Sequence, residues 1–194
     1  MNIFLDTETS GIPKNYKAPV SDIENWPRLV QLGYLLVDNG KILHSHEAVI
    51  KPIGFEIPVE ASNVHGITTE IATRDGKNIA IELEELQYWI ENCDTIIGHN
   101  IAFDMNIVGA EYFRLYGKNP LEGRKTICTM MSGIEFCNLP GKFPGRPKWP
   151  KLEELYMALF LKPLEQTHTA LDDIKNTFKC YEAMVERGII KVQE

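Results

Sequence analysis

Residues 28–50 read RLVQLGYLLVDNGKILHSHEAVI, and this stretch decides the fold class. It contains two runs of β-prone apolar residues, 28–38 and 41–50, separated by Asn39-Gly40. Asn-Gly favours the positive φ angles that a two-residue hairpin turn requires. The pattern therefore predicts two neighbouring antiparallel strands.

Outward from this hairpin, strands and helices are expected to alternate. Short apolar runs predict further strands at residues 3–5, 95–98 and 125–128. Apolar residues at helical spacing predict helices at 79–91, 102–116, 151–161 and 170–187. Thr169 is the expected N-cap of the last helix. The order predicts a three-layer α/β domain with a mixed sheet, spanning residues 1–194 as a single domain.

Composition restricts the class of protein. The hydrophobic fraction of 44% and charged fraction of 24% are ordinary for a soluble globular protein. The N-terminus has no basic segment or long apolar run, and the four cysteines form no C-x-x-C pair, so a cytoplasmic protein with reduced thiols is expected. A net charge of −7 disfavours nucleic-acid binding through a broad basic surface. A carboxylate site that binds metal ions would reconcile this acidity with a phosphate substrate.

Three clusters of acidic residues stand where the predicted elements begin or end. Asp6 and Glu8 follow the first strand and should share one of its faces, because side chains alternate along a strand. Asp104 falls in the first turn of a predicted helix, and Asp172 and Asp173 fall in the first turn of another. Acids near helix N-termini also stabilise the helix dipole, so each cluster alone is weak evidence for catalysis.

Together the clusters form an ordered pattern. D-x-E at residues 6–8, H-N-x-x-F-D at 99–104 and H-x-A-x-x-D at 168–173 resemble the three motifs of the DEDDh branch of the DEDD superfamily. These are the DnaQ-like 3′→5′ exonucleases, which include the proofreading exonuclease domain of DNA polymerase III epsilon. The resemblance covers most of the chain, at residues 4–11, 27–37, 65–68, 98–104 and 151–177.

The resemblance implies both a fold and a catalytic site. The implied fold is ribonuclease-H-like, a mixed five-stranded sheet flanked by helices. The implied catalytic residues are four carboxylates that bind two Mg²⁺ or Mn²⁺ ions and one general base: Asp6, Glu8, Asp104, Asp173 and His168. Asp173 is preferred to Asp172 because the family motif sets its last Asp five residues after the His. A histidine suits the role of base because its ordinary pKa of ~6.5 lies near neutrality.

The same resemblance suggests contacts to the terminal nucleotide. The candidates are Thr9, Ser10, His65, Asn100 and Phe103. Phe103 also falls on the apolar stripe of its helix, which favours a structural role for that residue.

Two further features allow two readings each. Residues 141–151 (GKFPGRPKWPK) could bind a nucleic-acid strand, with their cations guiding its phosphates and Phe143 or Trp149 stacking on its bases. Alternatively, they could form a solvated loop that the aromatic residues anchor to the core. His44 and His46 alternate on one strand face, which allows a metal pair, although an exposed histidine pair is favoured.

The expected function is release of nucleoside monophosphates from the 3′ end of single-stranded DNA, in proofreading or repair, with a DNA polymerase as a possible partner. Two alternatives stay open at this point: an exoribonuclease that trims RNA 3′ ends, and a non-catalytic nucleic-acid-binding scaffold. The filled catalytic positions disfavour the scaffold.

Overall fold

A computed structural model describes residues 1–164 and 169–191 of the chain. These residues form a five-stranded sheet in the order β3-β2-β1-β4-β5. The strands are β1 (Asn2–Thr9), β2 (Leu29–Asp38), β3 (Lys41–Val49), β4 (Thr95–Gly98) and β5 (Thr126–Cys128). β1 pairs antiparallel with β2 and parallel with β4, and β4 pairs parallel with β5. The predicted mixed five-stranded sheet is confirmed.

The hairpin between β2 and β3 forms where the sequence places it. Asn39 and Gly40 have φ angles of 48° and 73°, the left-handed backbone that a type I′ turn needs at both central positions. The turn places Asp38 opposite Lys41, and a one-residue shift between Leu36 and Val37 then places Tyr34 opposite His46. In the strand order of the sheet, β3 is an edge strand.

The helices that the apolar spacing predicts are present within one or two residues of their expected bounds. Residues 1–164 and 169–191 also contain four short helices that the sequence did not predict, because four to seven residues give too little periodic signal. In chain order the helices are α1 (Val59–His65), α2 (Thr69–Asp75), α3 (Ile79–Asn92), α4 (Ile101–Tyr116), α5 (Thr129–Ser132), α6 (Ile134–Cys137), α7 (Leu152–Phe160) and α8 (Ala170–Glu186).

Helices cover both faces of the sheet, which gives the three predicted layers. On one face, Ile3 and Leu5 of β1 pack in a core that includes Leu83 of α3 and Val108 of α4. On the other face, Phe4 packs with residues of α7 and α8, and its ring meets the Phe178 and Tyr181 rings edge-on. The alternation along β1 therefore assigns even-numbered residues to the α8 face and odd-numbered residues to the α4 face.

Gly33 allows α8 to lie close against the sheet. It pairs with Asp6 across β1 and β2, and a Cβ added there would lie 2.7 Å from Ile174 Cδ1 and 3.0 Å from Ala170 Cβ. Any larger side chain would therefore have to move α8 or its side chains. Because α8 also carries Asp173, this approach determines where that carboxylate lies relative to β1.

Among the residues with described coordinates, no helix has the length and hydropathy needed to cross a membrane. The four cysteines, all within this part of the chain, are free thiols.

Candidate active site

The candidate site lies at the carboxyl end of β1. Asp6 and Glu8 project from the α8 face of this strand, two residues apart, as the alternation predicts. α8 begins close to this strand end, and its first turn contains Asp172 and Asp173. The Thr169 hydroxyl accepts a hydrogen bond from the Asp172 N–H at 3.3 Å, so Thr169 is the predicted N-cap.

Three of the predicted metal ligands converge. Asp6, Glu8 and Asp173 each present a carboxylate oxygen, and these three oxygens all lie within 4.8 Å of one another. Asp172 is turned toward a different neighbour, with its Oδ1 3.8 Å from Lys175 Nζ. The geometry therefore favours Asp173 over Asp172, as the motif spacing does.

The fourth predicted ligand, Asp104, lies beside this group rather than within it. It is buried in the first turn of α4, only 3% exposed. Its Oδ1 accepts hydrogen bonds from the Thr7 N–H at 3.0 Å and the Thr7 hydroxyl at 2.8 Å. Thr7, on the opposite face of β1 from Asp6, thus fixes the Asp104 side chain, and sequence reasoning did not identify it. Its only signal was its position between Asp6 and Glu8.

Burial and mutual repulsion dominate the electrostatics of the cluster. Burial, followed by the charges of Asp104, Glu8 and Asp173, raises the pKa of Asp6 well above its ordinary value. Burial and the charge of Asp173 raise the pKa of Glu8 to about 7. Burial also raises the pKa of Asp104, opposed by its hydrogen bonds with Thr7. Without a cation, these carboxylates bind protons more tightly in the folded protein than in the unfolded chain.

This difference gives a pH prediction for the metal-free protein. Because the Glu8 pKa is about 7 when folded and 4.5 ordinarily, its contribution to stability is present below the ordinary value. It is lost as pH rises through 7. We expect the melting temperature of the metal-free protein to fall as pH rises from 4.5 to about 7. Mn²⁺ should raise the melting temperature more at about pH 8 than at about pH 5.5, because protons compete with the ion at the lower pH. Thermal unfolding with Mn²⁺ or a chelator at both pH values measures this, and an equal Mn²⁺ effect at both would contradict it.

The predicted general base, His168, lies outside the described residues. Two predicted substrate contacts, Thr9 and Ser10, follow Glu8 directly. The Thr9 hydroxyl donates to the Gly11 carbonyl at 2.6 Å, and the Ser10 hydroxyl accepts from the Arg28 N–H at 2.9 Å. The Ser10 N–H also donates to the Arg28 carbonyl at 2.9 Å. Both residues therefore shape the turn that leaves β1, and the Ser10 hydroxyl, an acceptor in this contact, retains its own hydrogen for donation to a ligand.

His65 lies next to this turn. It is buried at the end of α1, and its Nδ1 accepts a hydrogen bond from the Ile67 N–H at 3.1 Å. Burial lowers its pKa, partly opposed by an interaction with the Thr9 backbone. His65 thus adjoins Thr9, in surroundings that favour the neutral form of its imidazole.

The other two predicted contacts begin α4. Asn100 has a φ of 68°, a left-handed conformation that asparagine tolerates well, and it turns the chain from β4 into α4. Phe103 is partly buried and packs against the core beneath α4, in agreement with its position on the apolar stripe.

His99, between β4 and α4, was not singled out from the sequence. Its Nδ1 lies 3.0 Å from the Thr129 hydroxyl, and its Nε2 lies 3.0 Å from the Pro150 carbonyl. Burial lowers its pKa to about 4, so it is a neutral hydrogen-bonding residue. It ties the end of the 141–151 loop to the segment that carries Asp104.

Ion pairs neutralise part of the positive charge that the sequence of the 141–151 loop indicates. Lys148 and Lys151 form ion pairs with Glu154 and Glu153 of α7. The aromatic side chains of the loop, Phe143 and Trp149, are 63% and 61% exposed, so they do not anchor it to the core.

Comparison with known proteins identifies the family. The sequence model of the RNase_T family, described as exonuclease, matches residues 3–181. The chain belongs to this exonuclease family. It is 25% identical over 191 residues to the uncharacterized exonuclease CP81 of Escherichia phage 186, covering 96% of this chain and 89% of the phage protein.

Solved structures of exonuclease I support the fold of this exonuclease-family chain. The E. coli enzyme in complex with a dA16 oligonucleotide superposes with a TM-score of 0.72 at 19% identity, covering 96% of this chain and 41% of that one. A zinc-bound form of the E. coli enzyme with single-stranded DNA has a TM-score of 0.73 at 19% identity, covering 96% and 40%. The chain thus spans about two fifths of these proteins, and the ribonuclease-H-like fold is confirmed.

Proposed function

We propose that this chain is a divalent-metal-dependent 3′→5′ exonuclease that releases nucleoside monophosphates from single-stranded DNA. The observation that carries the proposal is the convergence of Asp6, Glu8 and Asp173 within 4.8 Å, with buried Asp104 beside them. Family membership accounts for the nuclease class, and the cluster supports the metal-dependent mechanism.

The donor atoms fit Mg²⁺ or Mn²⁺. Carboxylate oxygens are the hard ligands that these ions prefer, and nucleases commonly hold two such ions ~3.5–4 Å apart. Burial first, and the neighbouring carboxylates second, raise the pKa values of Asp6 and Glu8, so their charged forms are unfavourable without a cation. A bound cation would relieve this repulsion and offset the burial of the charged forms.

Each group in the site would have a separate task. Asp6, Glu8, Asp104 and Asp173 would hold the ions, which supply stabilisation of charge on the phosphate and the departing 3′ oxygen. Asp104 would need to coordinate through the oxygen that Thr7 does not engage. His168 is proposed as the base that accepts a proton from the attacking water, on the strength of its place five residues before Asp173.

The terminal nucleotide is proposed to bind between the β1 turn and the start of α4. The Ser10 hydroxyl, which accepts a hydrogen bond from Arg28, would still offer its own hydrogen, whereas the Thr9 hydroxyl donates to Gly11 and would hold the turn in place. His65 and Asn100 would line the pocket, and Phe103 would support it from the core side.

The preceding nucleotides are proposed to cross the 141–151 loop. His99 connects Pro150 in this loop to the β4–α4 segment, so the loop ends beside the candidate site. Exposed Phe143 and Trp149 are available for base stacking, and Lys142 and Arg146 supply positive charge. Such a local contact suits a chain whose net charge is −7.

DNA is proposed as the substrate, in a proofreading or repair role with a DNA polymerase as partner, from the motif resemblance. Exonuclease I, which shares the fold, has been solved with dA16 and dT13 oligonucleotides. An RNA 3′-end-trimming enzyme would use the same carboxylates and would need a contact to the 2′-OH.

The test compares DNA and RNA single strands of one sequence, each labelled at the 5′ end, with Mn²⁺ as the metal. We expect a ladder of 5′-labelled products that shortens with time, release of nucleoside monophosphates, and faster digestion of DNA. A strand whose 3′-terminal linkage is a phosphorothioate is the matched control and should be degraded more slowly. Faster digestion of RNA would overturn the DNA assignment, and digestion from the 5′ end would overturn the polarity. Binding without any cleavage would favour the scaffold.

A further inference from the structure

We propose that the chain has a second metal site, formed by His44 and His46 of β3 and Glu85 of α3, that takes Zn²⁺ or a similar transition-metal ion. These residues belong to the edge strand β3 and to α3, whose side chains meet where Glu82 of α3 contacts His46. None of them takes part in the carboxylate cluster, so this site does not depend on the proposed nuclease function.

The register of the hairpin brings the two histidines to one face. His46 pairs with Tyr34 and His44 pairs with Leu36, and both of these β2 residues belong to the core that includes α3. His44 and His46 therefore project toward α3, from which Glu85 points back. One donor atom from each of His44, His46 and Glu85 lies within 4.8 Å of the other two.

The donor set indicates the class of metal. Two imidazole nitrogens and one carboxylate oxygen suit Zn²⁺, Cu²⁺ or Ni²⁺ better than Mg²⁺ or Ca²⁺, which prefer oxygen alone. A tetrahedral zinc site, with bonds of about 2.0–2.2 Å, separates its donor atoms by roughly 3.3–3.6 Å. Small side-chain rotations would close the present spacing to that value, leaving a fourth position for solvent.

Neighbouring groups already orient the three ligands. The Tyr34 hydroxyl donates to Glu85 Oε1 at 2.6 Å, and Glu82 Oε2 lies 2.6 Å from His46 Nε2. The His46 ring stacks on the Tyr34 ring with centroids 4.8 Å apart, and the His44 ring lies against the Trp89 indole with centroids 6.1 Å apart. Hydrogen-bonded carboxylates and hydroxyls of this kind hold metal ligands in position and strengthen binding.

The charge of the cluster also matches a divalent ion. Glu82 and Glu85 both lie against the imidazoles, and the hydrogen bond from Tyr34 holds the pKa of Glu85 below its ordinary value. Imidazoles bind a metal ion as neutral ligands, so the two carboxylates would carry the charge that one bound dication balances. Binding there would link the edge strand β3 to α3 and stabilise the hairpin.

The experiment measures retained zinc under conditions that saturate the carboxylate cluster with another ion. Wild type, His44→Asn, Glu85→Gln and Asp6→Asn would be equilibrated with Zn²⁺ in excess Mg²⁺, dialysed into Mg²⁺ alone, and analysed for zinc by atomic emission. Competition with a chromogenic chelator gives the affinity, and circular dichroism checks the fold. His44 is exposed, so its replacement should leave the fold intact.

We expect wild type and Asp6→Asn to retain one zinc per chain. We expect His44→Asn and Glu85→Gln to bind it at least about tenfold more weakly, with Mg²⁺-dependent nuclease activity unchanged. Zinc-induced thermal stabilisation should disappear in the same two variants. The proposal is overturned if wild type retains no zinc, if either ligand variant keeps its affinity, or if Asp6→Asn releases the zinc.

Discussion

Asp6→Asn is expected to abolish metal-dependent cleavage while leaving the protein folded. Asp6 is the carboxylate on which the charges of Asp104, Glu8 and Asp173 all act, so it lies centrally in the cluster. An amide of the same shape keeps the packing but removes the negative charge that a metal ion requires. We expect the cleavage rate to fall at least about 1,000-fold, which corresponds to about 4 kcal/mol of lost transition-state stabilisation.

The same substitution should stabilise the metal-free protein. Burial and three neighbouring carboxylates oppose ionisation of Asp6, so a neutral amide removes a repulsive interaction. Near neutral pH in a chelator, the melting temperature of Asp6→Asn should exceed that of wild type, and the gain from added Mn²⁺ should shrink. Loss of activity together with increased stability is the signature of a functional residue rather than a structural one.

Asp172→Asn is the matched control. It makes the same chemical change one residue from Asp173, at a side chain turned toward Lys175. Its cleavage rate should stay within a few-fold of wild type. Comparable losses in the two variants, or full activity in Asp6→Asn, would contradict the proposed assignment of the carboxylates.

The sequence predicted the parts of the fold that local rules determine. Asn39-Gly40 specified the turn by its backbone preference, and the apolar spacing of residues 79–91 and 102–116 located α3 and α4. The alternation of side chains along a strand was sufficient to predict that Asp6 and Glu8 share one face. These predictions succeed because each depends on residues that are close together in the sequence.

Contacts between residues far apart in the sequence could not be predicted from the sequence. Thr7 fixes Asp104 across 97 positions of sequence, and His99 reaches Pro150 across 51. No spacing rule connects such pairs. The short helix α2 was not predicted for another reason. Thr68 is a suitable N-cap, but the seven residues that follow it have too weak an apolar periodicity to indicate a helix. The motif likewise does not indicate that Thr7 donates two hydrogen bonds to Asp104, which orient the carboxylate beside the cluster.

Gly33→Ala is the second substitution for which a large effect is expected. Gly33 lies in the extended strand β2, where alanine is conformationally acceptable, so the effect comes from contact with α8. The new methyl group would lie 2.7 Å from Ile174 Cδ1, well inside ordinary contact. Ile174 Cδ1 ends a flexible side chain and can rotate away, but Ala170 Cβ lies 3.0 Å from the new methyl group and moves only with the α8 backbone. Relief of both contacts would therefore displace α8 and with it Asp173, one residue before Ile174.

We expect Gly33→Ala to lower the free energy of unfolding by about 1–3 kcal/mol, as overpacked cores do. Because Asp173 is a proposed metal ligand, its displacement by even a fraction of an ångström should reduce the cleavage rate about 10- to 100-fold. Denaturant unfolding and the oligonucleotide assay measure the two effects separately.

Ile174→Val provides a rescue that a nonspecific loss of packing would not show. Valine lacks the Cδ1 atom that the new methyl group would meet, and alone it should cost about 0.5–1.5 kcal/mol. In the double variant the overlap with Cδ1 is gone, so its destabilisation should be smaller than the sum of the two single changes by about 0.5–3 kcal/mol. Cleavage should recover in part, because the overlap with Cδ1 is relieved while the 3.0 Å contact with Ala170 Cβ remains. Strictly additive losses would instead mean that Gly33 does not control the position of Asp173.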